Sequence, residues 1–540
     1  MKPSLASVLL AVSSHTFVAF YASGSPVAAP DVGPLIACTP GLEVEWHQIG
    51  NTPSPVWPYQ IFKSSPYNPP ELQITTNGKP LAPGLLFFSP SEGGVGVAAK
   101  DVAPLIMTDT GELVFNGPSV AATNFRVAQY RGSPILTYWT GESTSGENIG
   151  HGYGNVTFLD SSYNSILVLC PQLDLVTPDN VKFECEADLH ESFVTDRNTI
   201  LVTAYNVTET DLSAIGGPKN GWIFDCLFFE LDPANGNIIF RWSAIEHVSV
   251  RDTKEPLVGT GNNQSAPFDW FHINSVINIG DDYLVNSRHL WATFLITANG
   301  DIIWRLQGDT GGDFGALPAN GHFSWQHYAR PHHITNTSIR ISYFNNFNQA
   351  LDNGTNPSNG LELQLTLPPN KASPPVVLEQ LLDTSDLLYA DSQGSAQFLP
   401  NGNIFLDYGA IAVMREFGPS PPNGSDLRWS ARFAADNVVQ SYRGFKHEWH
   451  ATPKTDPNLV VVAGSGGTGC SAGYVSWNGA TDVEAWVVYE GPDQSHLSRA
   501  GRVGFKGFET DFVVGEACVQ VIAVVDGKEC KRSNIACTEG

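Results

Sequence analysis

"TFLITANGDIIWRL", residues 293 to 306, joins two β-type runs through Asn299 and Gly300. Side chains alternate between the faces of an extended strand, and Asn-Gly supplies the positive φ of a tight hairpin, so the stretch reads strand, turn, strand. The phrase recurs as "LIMTDTGELVF" (105 to 115), "FFELDPANGNIIFRW" (228 to 242) and "AQFLPNGNIFLDYG" (396 to 409). Its spacing is irregular but of the order of a four-stranded sheet, and helical periodicity is nearly absent. The expected fold is all-β, a β-propeller with blades of unequal loop length; a tandem of β-sandwiches is the alternative.

Bulk properties bound the function. The chain has 540 residues, 42% of them hydrophobic, with 51 Gly and 37 Pro, so it buries a large core and turns often. Its 54 acidic and 29 basic residues give a formal charge of -25, which repels polyanions and anionic membrane surfaces and argues against a nucleic-acid partner. An anionic substrate would need a local cluster of Arg and His against that field.

Residues 1 to 24, "MKPSLASVLLAVSSHTFVAFYASG", read as a secretory signal peptide, so the mature chain is expected outside the cell. No later apolar run is long enough to span a bilayer. Residues 25 to 74 form a Pro-rich extension, 75 to 500 the propeller, and 501 to 540 a C-terminal strand and Cys-rich tail. The eight cysteines (38, 170, 185, 226, 470, 518, 530, 537) are an even number, as paired thiols require. A Cys170–Cys185 bridge would close a short loop and contribute about 3 kcal/mol. Glycosylation sequons stand at Asn155, Asn206, Asn263, Asn336, Asn353 and Asn423.

"DWFHINSV", residues 269 to 276, places His272 and Asn274 on one strand face and Phe271 and Ile273 on the other. In a propeller's inner strand one face packs on the next blade and the other lines the channel. A lone histidine there reads as a satisfied core residue. Here "DLHESFV" adds His190 and Glu191, "VNSRHLW" adds Arg288 and His289, and "FSWQHYARPHH" adds His327, Arg330, His332 and His333. "GSGGTG" (464 to 469) and "GCSAG" (469 to 473) match dinucleotide and nucleophile-elbow patterns, but the helix each requires does not follow, so both read as a Gly-rich loop between blades.

The phrases "DLHESFVTDRNTILVTAY", "DWFHINSV", "ANGDIIWRLQG", "FSWQHYAR" and "GYVSWNGATDVEAWVVYEG" resemble the fungal branch of the arylsulfotransferase family, over residues 75 to 495 or so. The resemblance implies a six-bladed propeller that moves a sulfuryl group from a phenolic sulfate ester to a phenolic acceptor through histidine. Its partner would be a small aromatic molecule, with no nucleotide sulfate donor and no cofactor. His272, in the D-W-x-H-x-N-S phrase, and His327, in the Q-H-x-A phrase, would contact sulfate, with Arg330 and His190 beside them. Asn274, Arg288 and His289 would bind substrate. The family's nucleophile falls later in the chain, where no histidine stands between His333 and His447, so His447 and His450 are the later candidates.

The chemistry asks for a neutral imidazole to attack sulfur, donors for the sulfuryl oxygens, and an acid for a phenolate whose conjugate acid has a pKa near ~10. Convergent imidazoles also suit zinc or copper, but no tight ligand spacing occurs and no metal is assigned. A non-catalytic secreted propeller that binds an aromatic metabolite is the other reading.

Overall fold

The computed structural model describes residues 57–92, 102–143, 150–347, 356–419, 426–436, 438–463 and 471–538. The signal peptide, most of the Pro-rich extension, Cys38, Cys470, Asn353, Asn423 and "GSGGTG" lie outside these residues. As expected, the architecture is all-β: antiparallel sheets connected by loops and short 3-10 turns, with no α-helix among the described residues.

All four hairpin phrases form antiparallel pairs, and their turn glycines, Gly111, Gly236, Gly300 and Gly402, have φ between +73° and +94°. Only glycine takes that conformation without strain. The first three phrases are the outer pair of strands of their sheets, whereas 396 to 409 is the inner pair. That difference accounts for the irregular spacing.

Six sheets share a four-stranded meander. The second holds Ala122–Tyr130, Ser133–Ser143, Gly152–Leu159 and Ser165–Leu169. The third holds Ser192–Val194, Ile200–Thr210, Gly221–Leu231 and Ile238–Ser243. The fourth comprises Ile273–Ile279, Asp282–Ser287, Ala292–Ile296 and Ile302–Gln307. The fifth comprises His327–His332, Ser338–Asn345, Asn359–Thr366 and Val376–Leu381. The sixth comprises Ser395–Phe398, Ile404–Asp407, Val413–Gly418 and Asp426–Arg432, with Gln73–Thr76 added to its outer edge.

The first sheet is built from both ends of this order. Leu85–Phe88, Leu105–Met107 and Leu113–Asn116 are completed by Phe445–His447, which pairs with Leu85–Phe88. Each sheet's inner strands pack on the first strand of the next, and those of the sixth pack on Phe445–His447. The faces between sheets are apolar and buried; between the third and fourth lie Phe228, Trp242, Phe271 and Phe294, each at most 2% exposed. At about 25 cal/mol per Å² of apolar area, such layers dominate the stability.

Residues 458 to 537, expected as part of the main body and a short tail, form two further sheets around Trp477, Trp486, Val488 and Phe512. Ser471 of "GCSAG" begins the strand Ser471–Ser476, which pairs with Asn458–Ala463. The Gly-rich segment therefore joins two strands of this C-terminal unit rather than two of the six sheets. From Trp57 onward the Pro-rich extension is tied to the body: Gln60 Nε2 donates to Gly111 O (2.9 Å) and Ser64 Oγ donates to Glu509 Oε2 (2.6 Å).

Cys170–Cys185 is disulfide-bonded, as is Cys518–Cys537. Full pairing of the thiols is not observed, because Cys226 is buried and Cys530 exposed as free cysteines. Cys226 fills apolar space, and burial pushes its thiol well above the ordinary range, so it stays protonated. Asn263 and Asn336 lie exposed in loops, whereas Asn155 and Asn206 sit half-buried in strands.

Candidate active site

At or near the start of the first strand of each of these six sheets stands a polar side chain: Asn124, His190, His272, His327, Gln393 and Arg443 in the second, third, fourth, fifth, sixth and first sheets. Four of these entries are distorted. Asn124, His272, Tyr328 and Gln393 have φ of +55°, +53°, +57° and +63°, and register shifts accompany the first three in the strand pairings. The expected alternation of His272 and Asn274 on one face is not met, because the strand starts at Ile273 and the left-handed turn at His272 redirects its ring. Such bulges and strained residues re-aim side chains where a ladder alone cannot.

What His272 meets is Asp269. Its Nδ1–H donates to Asp269 Oδ2 (2.5 Å), and His151 Nε2–H donates to the same oxygen (3.1 Å). His289 donates from Nδ1 to the Asp269 carbonyl (2.5 Å), while its Nε2 accepts from Arg288 Nη1 (2.7 Å). Asp269 Oδ1 is buried with no hydrogen-bond partner among the described residues. Burial would raise the Asp269 carboxyl, but the surrounding imidazoles His272, His151 and His289 hold it well below the usual range. Burial keeps His272 neutral, far below its ordinary value, and lowers His289 to about 4.

A second dyad faces the first. His190 Nδ1–H donates to Asp188 Oδ2 (2.6 Å), which also accepts the His190 backbone N–H and Thr203 Oγ1–H, while Oδ1 accepts Gly152 N–H. The His190 and His272 rings stand 4.7 Å apart at 86°. Each imidazole has spent its proton on a carboxylate, leaving an Nε2 lone pair with no protein donor among the described residues.

Beside His190, Glu191 anchors three guanidiniums: Arg330 Nη2 at 2.6 Å, Arg443 Nη1 at 3.0 Å and Arg126 Nη2 at 3.3 Å. All four groups are buried. Burial opposes the charge on Glu191, but Arg330, Arg443 and Arg126 bring its carboxyl down to about 2. Three cations against one anion leave a local positive excess inside a strongly acidic chain, the kind of field an anionic substrate requires.

His327 lies across Tyr442, whose ring is 6.4 Å from it and 5.6 Å from His190. Asn346 donates to the Ala390 and Gln393 carbonyls, so its Oδ1 accepts His327 Nδ1–H (2.8 Å); His327 Nε2 accepts Gln393 N–H (3.2 Å). Both ring nitrogens are engaged. Asn274 is likewise occupied, bridging Gln326 O and Asn286 Nδ2 across the fourth and fifth sheets.

The structure thus unites His190, His272, His289 and Arg288 near Asp269, with Arg330 next to them on Glu191. His447 and His450 stay apart: His447 packs against Phe87 and Phe445, and His450 is 79% exposed on Asp482 (2.8 Å). Sequence reasoning missed His151, Asp188, Asp269, Arg126 and Arg443. The two aspartates had a signal, since each stands two or three residues before its histidine in "DLH" and "DWFH".

A family model described as arylsulfotransferase (ASST) matches residues 126–432. No curated protein matches the chain. Similar solved structures include the Pseudomonas aeruginosa periplasmic gluconolactonase PpgL, at 11% identity and TM-score 0.31, covering 80% of this chain and 99% of that one. Another is the Bombyx mori GH32 β-fructofuranosidase BmSUC1, at 8% identity and TM-score 0.27, covering 79% and 88%.

Proposed function

The chain belongs to the arylsulfotransferase (ASST) family, and from that premise we propose that its buried histidine cluster moves a sulfuryl group from a phenolic sulfate ester to a phenolic acceptor. The observation that carries the reading is the facing pair of carboxylate-held imidazoles, His190–Asp188 and His272–Asp269. We further infer that the six sheets close a six-bladed propeller whose axis holds this pair, in a secreted chain glycosylated at exposed sequons such as Asn263 and Asn336.

His272 is the nucleophile. Its Nδ1–H is held by Asp269, so Nε2 attacks sulfur, the sulfur–oxygen bond breaks, and the electron pair leaves on the phenolate oxygen. His190, having first taken up a proton on its free Nε2, gives that proton to the oxygen, and Asp188 compensates the transient imidazolium. In the second half, His190 takes the proton of the acceptor hydroxyl, its oxygen attacks sulfur, and the nitrogen–sulfur bond breaks to restore His272. A well-placed acid–base group contributes about 10²–10⁴ in rate. The arginines on Glu191 attract the sulfate ester by their field, and their Nη2 donors are held by Glu191, Ser192 O and Asn274 O. His327, with both nitrogens engaged, is a positioning wall, and His447 and His450 take no part.

The test exposes the full-length secreted protein to phenyl sulfate labelled with ³⁵S and measures label on protein and on an added phenol. Expected is label on wild type and none on His272→Ala. A wild-type chain that neither retains nor transfers label is a binder of aromatic ligands instead.

A further inference from the structure

We propose that His151, His190 and His272 together form a site for one divalent transition-metal ion of the zinc or copper class. One ring nitrogen from each lies within 4.8 Å of the other two, and all three residues are buried. Neutral imidazole is a good ligand for these ions. An ion at the usual ~2.1 Å distance needs the rings to draw in by about an ångström.

The surroundings favour a cation more than the three nitrogens alone. Ligating histidines characteristically donate their other N–H to a carboxylate or carbonyl, which fixes the tautomer and strengthens the ligand. His190 does so to Asp188, and His272 and His151 do so to Asp269. The two buried carboxylates match the charge of a dication. The unpartnered Oδ1 of Asp269 marks negative charge that the protein's own donors leave unmet. A rival grouping of Asp269, His272 and His289 is disfavoured because the Arg288 guanidinium sits 2.7 Å from His289 Nε2 and repels a cation.

This goes beyond sulfuryl transfer and competes with it. The ion and the sulfuryl group use the same Nε2 lone pair of His272, so the metal-loaded chain transfers nothing until the ion is removed.

The full-length protein, stripped with EDTA, is titrated with Zn²⁺ by calorimetry and with Cu²⁺ by electron paramagnetic resonance. Expected are one ion per chain, nitrogen hyperfine coupling from imidazoles, and an affinity lowered at least about 100-fold in His190→Ala and His272→Ala. Asp188→Asn, which keeps the side-chain shape, lowers it about 10–100-fold, while His496→Ala, at an exposed histidine, leaves it unchanged. Binding no tighter in wild type than in either cluster variant, or Cu²⁺ without nitrogen coupling, overturns the proposal. These readouts need no turnover, so they stand or fall apart from the sulfuryl-transfer reading.

Discussion

His190 and His272 come from different sheets, yet their rings meet edge to face at 4.7 Å, each with its outer N–H fastened to its own aspartate. The arrangement fixes both tautomers. Each ring is left with an Nε2 lone pair that meets no protein donor among the described residues, and an electrophile or a cation is what a lone pair accepts.

The aspartates set the chemistry. Asp269→Asn removes the charge and offers an amide that can present N–H instead of oxygen, so the His272 proton moves to Nε2 and the nucleophilic lone pair is lost. We expect kcat for phenyl sulfate transfer to fall by about 10²-fold or more with KM little changed, and the thermal melt to confirm a folded variant. An unaltered kcat would remove Asp269 from the mechanism.

Among the described residues, Glu191 is the sole anion paired with a trio of buried arginines. Glu191→Ala leaves Arg126, Arg330 and Arg443 facing one another without compensation, a loss expected at about 3–5 kcal/mol. An unfolding free energy from denaturant titration lowered by less than a quarter of that would show the trio to be stabilised by other acceptors.

Glu362 stands directly opposite Glu379 in the fifth sheet. Burial and Glu379 raise its carboxyl to about 7, against the attraction of Arg340. Between about pH 4.5 and 7 the unfolded chain releases a proton that the folded chain keeps, so stability falls as pH rises through this window, by about 1–3 kcal/mol. Glu362→Gln removes that slope. Urea titrations at pH 5 and pH 8 should show the variant gaining on wild type only at the higher pH.

His447 carries the opposite sign. Its Nε2 is buried without a hydrogen-bond partner among the described residues, and burial with Arg126 nearby lowers the imidazole to about 3. The unfolded chain binds a proton from about pH 6.5 downward that the folded chain refuses, so stability is lost on acidification at about 1 kcal/mol per pH unit. His447→Phe should flatten the acid limb of the same titration. A limb as steep as wild type would place the proton uptake elsewhere.

The hairpins were legible because Gly111, Gly236, Gly300 and Gly402 announce a conformation that few other residues take. His190, His272 and Arg330 were legible as polar residues in otherwise apolar inner strands. His151 was not, since it precedes the second sheet's third strand and its glycine-rich neighbourhood reads as a loop. Nor was the left-handed turn at His272, where tertiary packing overrides strand alternation. The two partly misleading candidates, His447 and His450, came from chain position relative to a family pattern, and position alone does not reveal whether a ring faces an axis or solvent.

The pairing of Phe445–His447 with Leu85–Phe88 makes an early segment wait for a late one. While the polypeptide leaves the ribosome, Leu85–Phe88 keeps a bare apolar edge until nearly the whole length has been made, and such edges recruit other chains. A premature stop anywhere before Phe445 would therefore yield sticky fragments rather than a smaller folded protein.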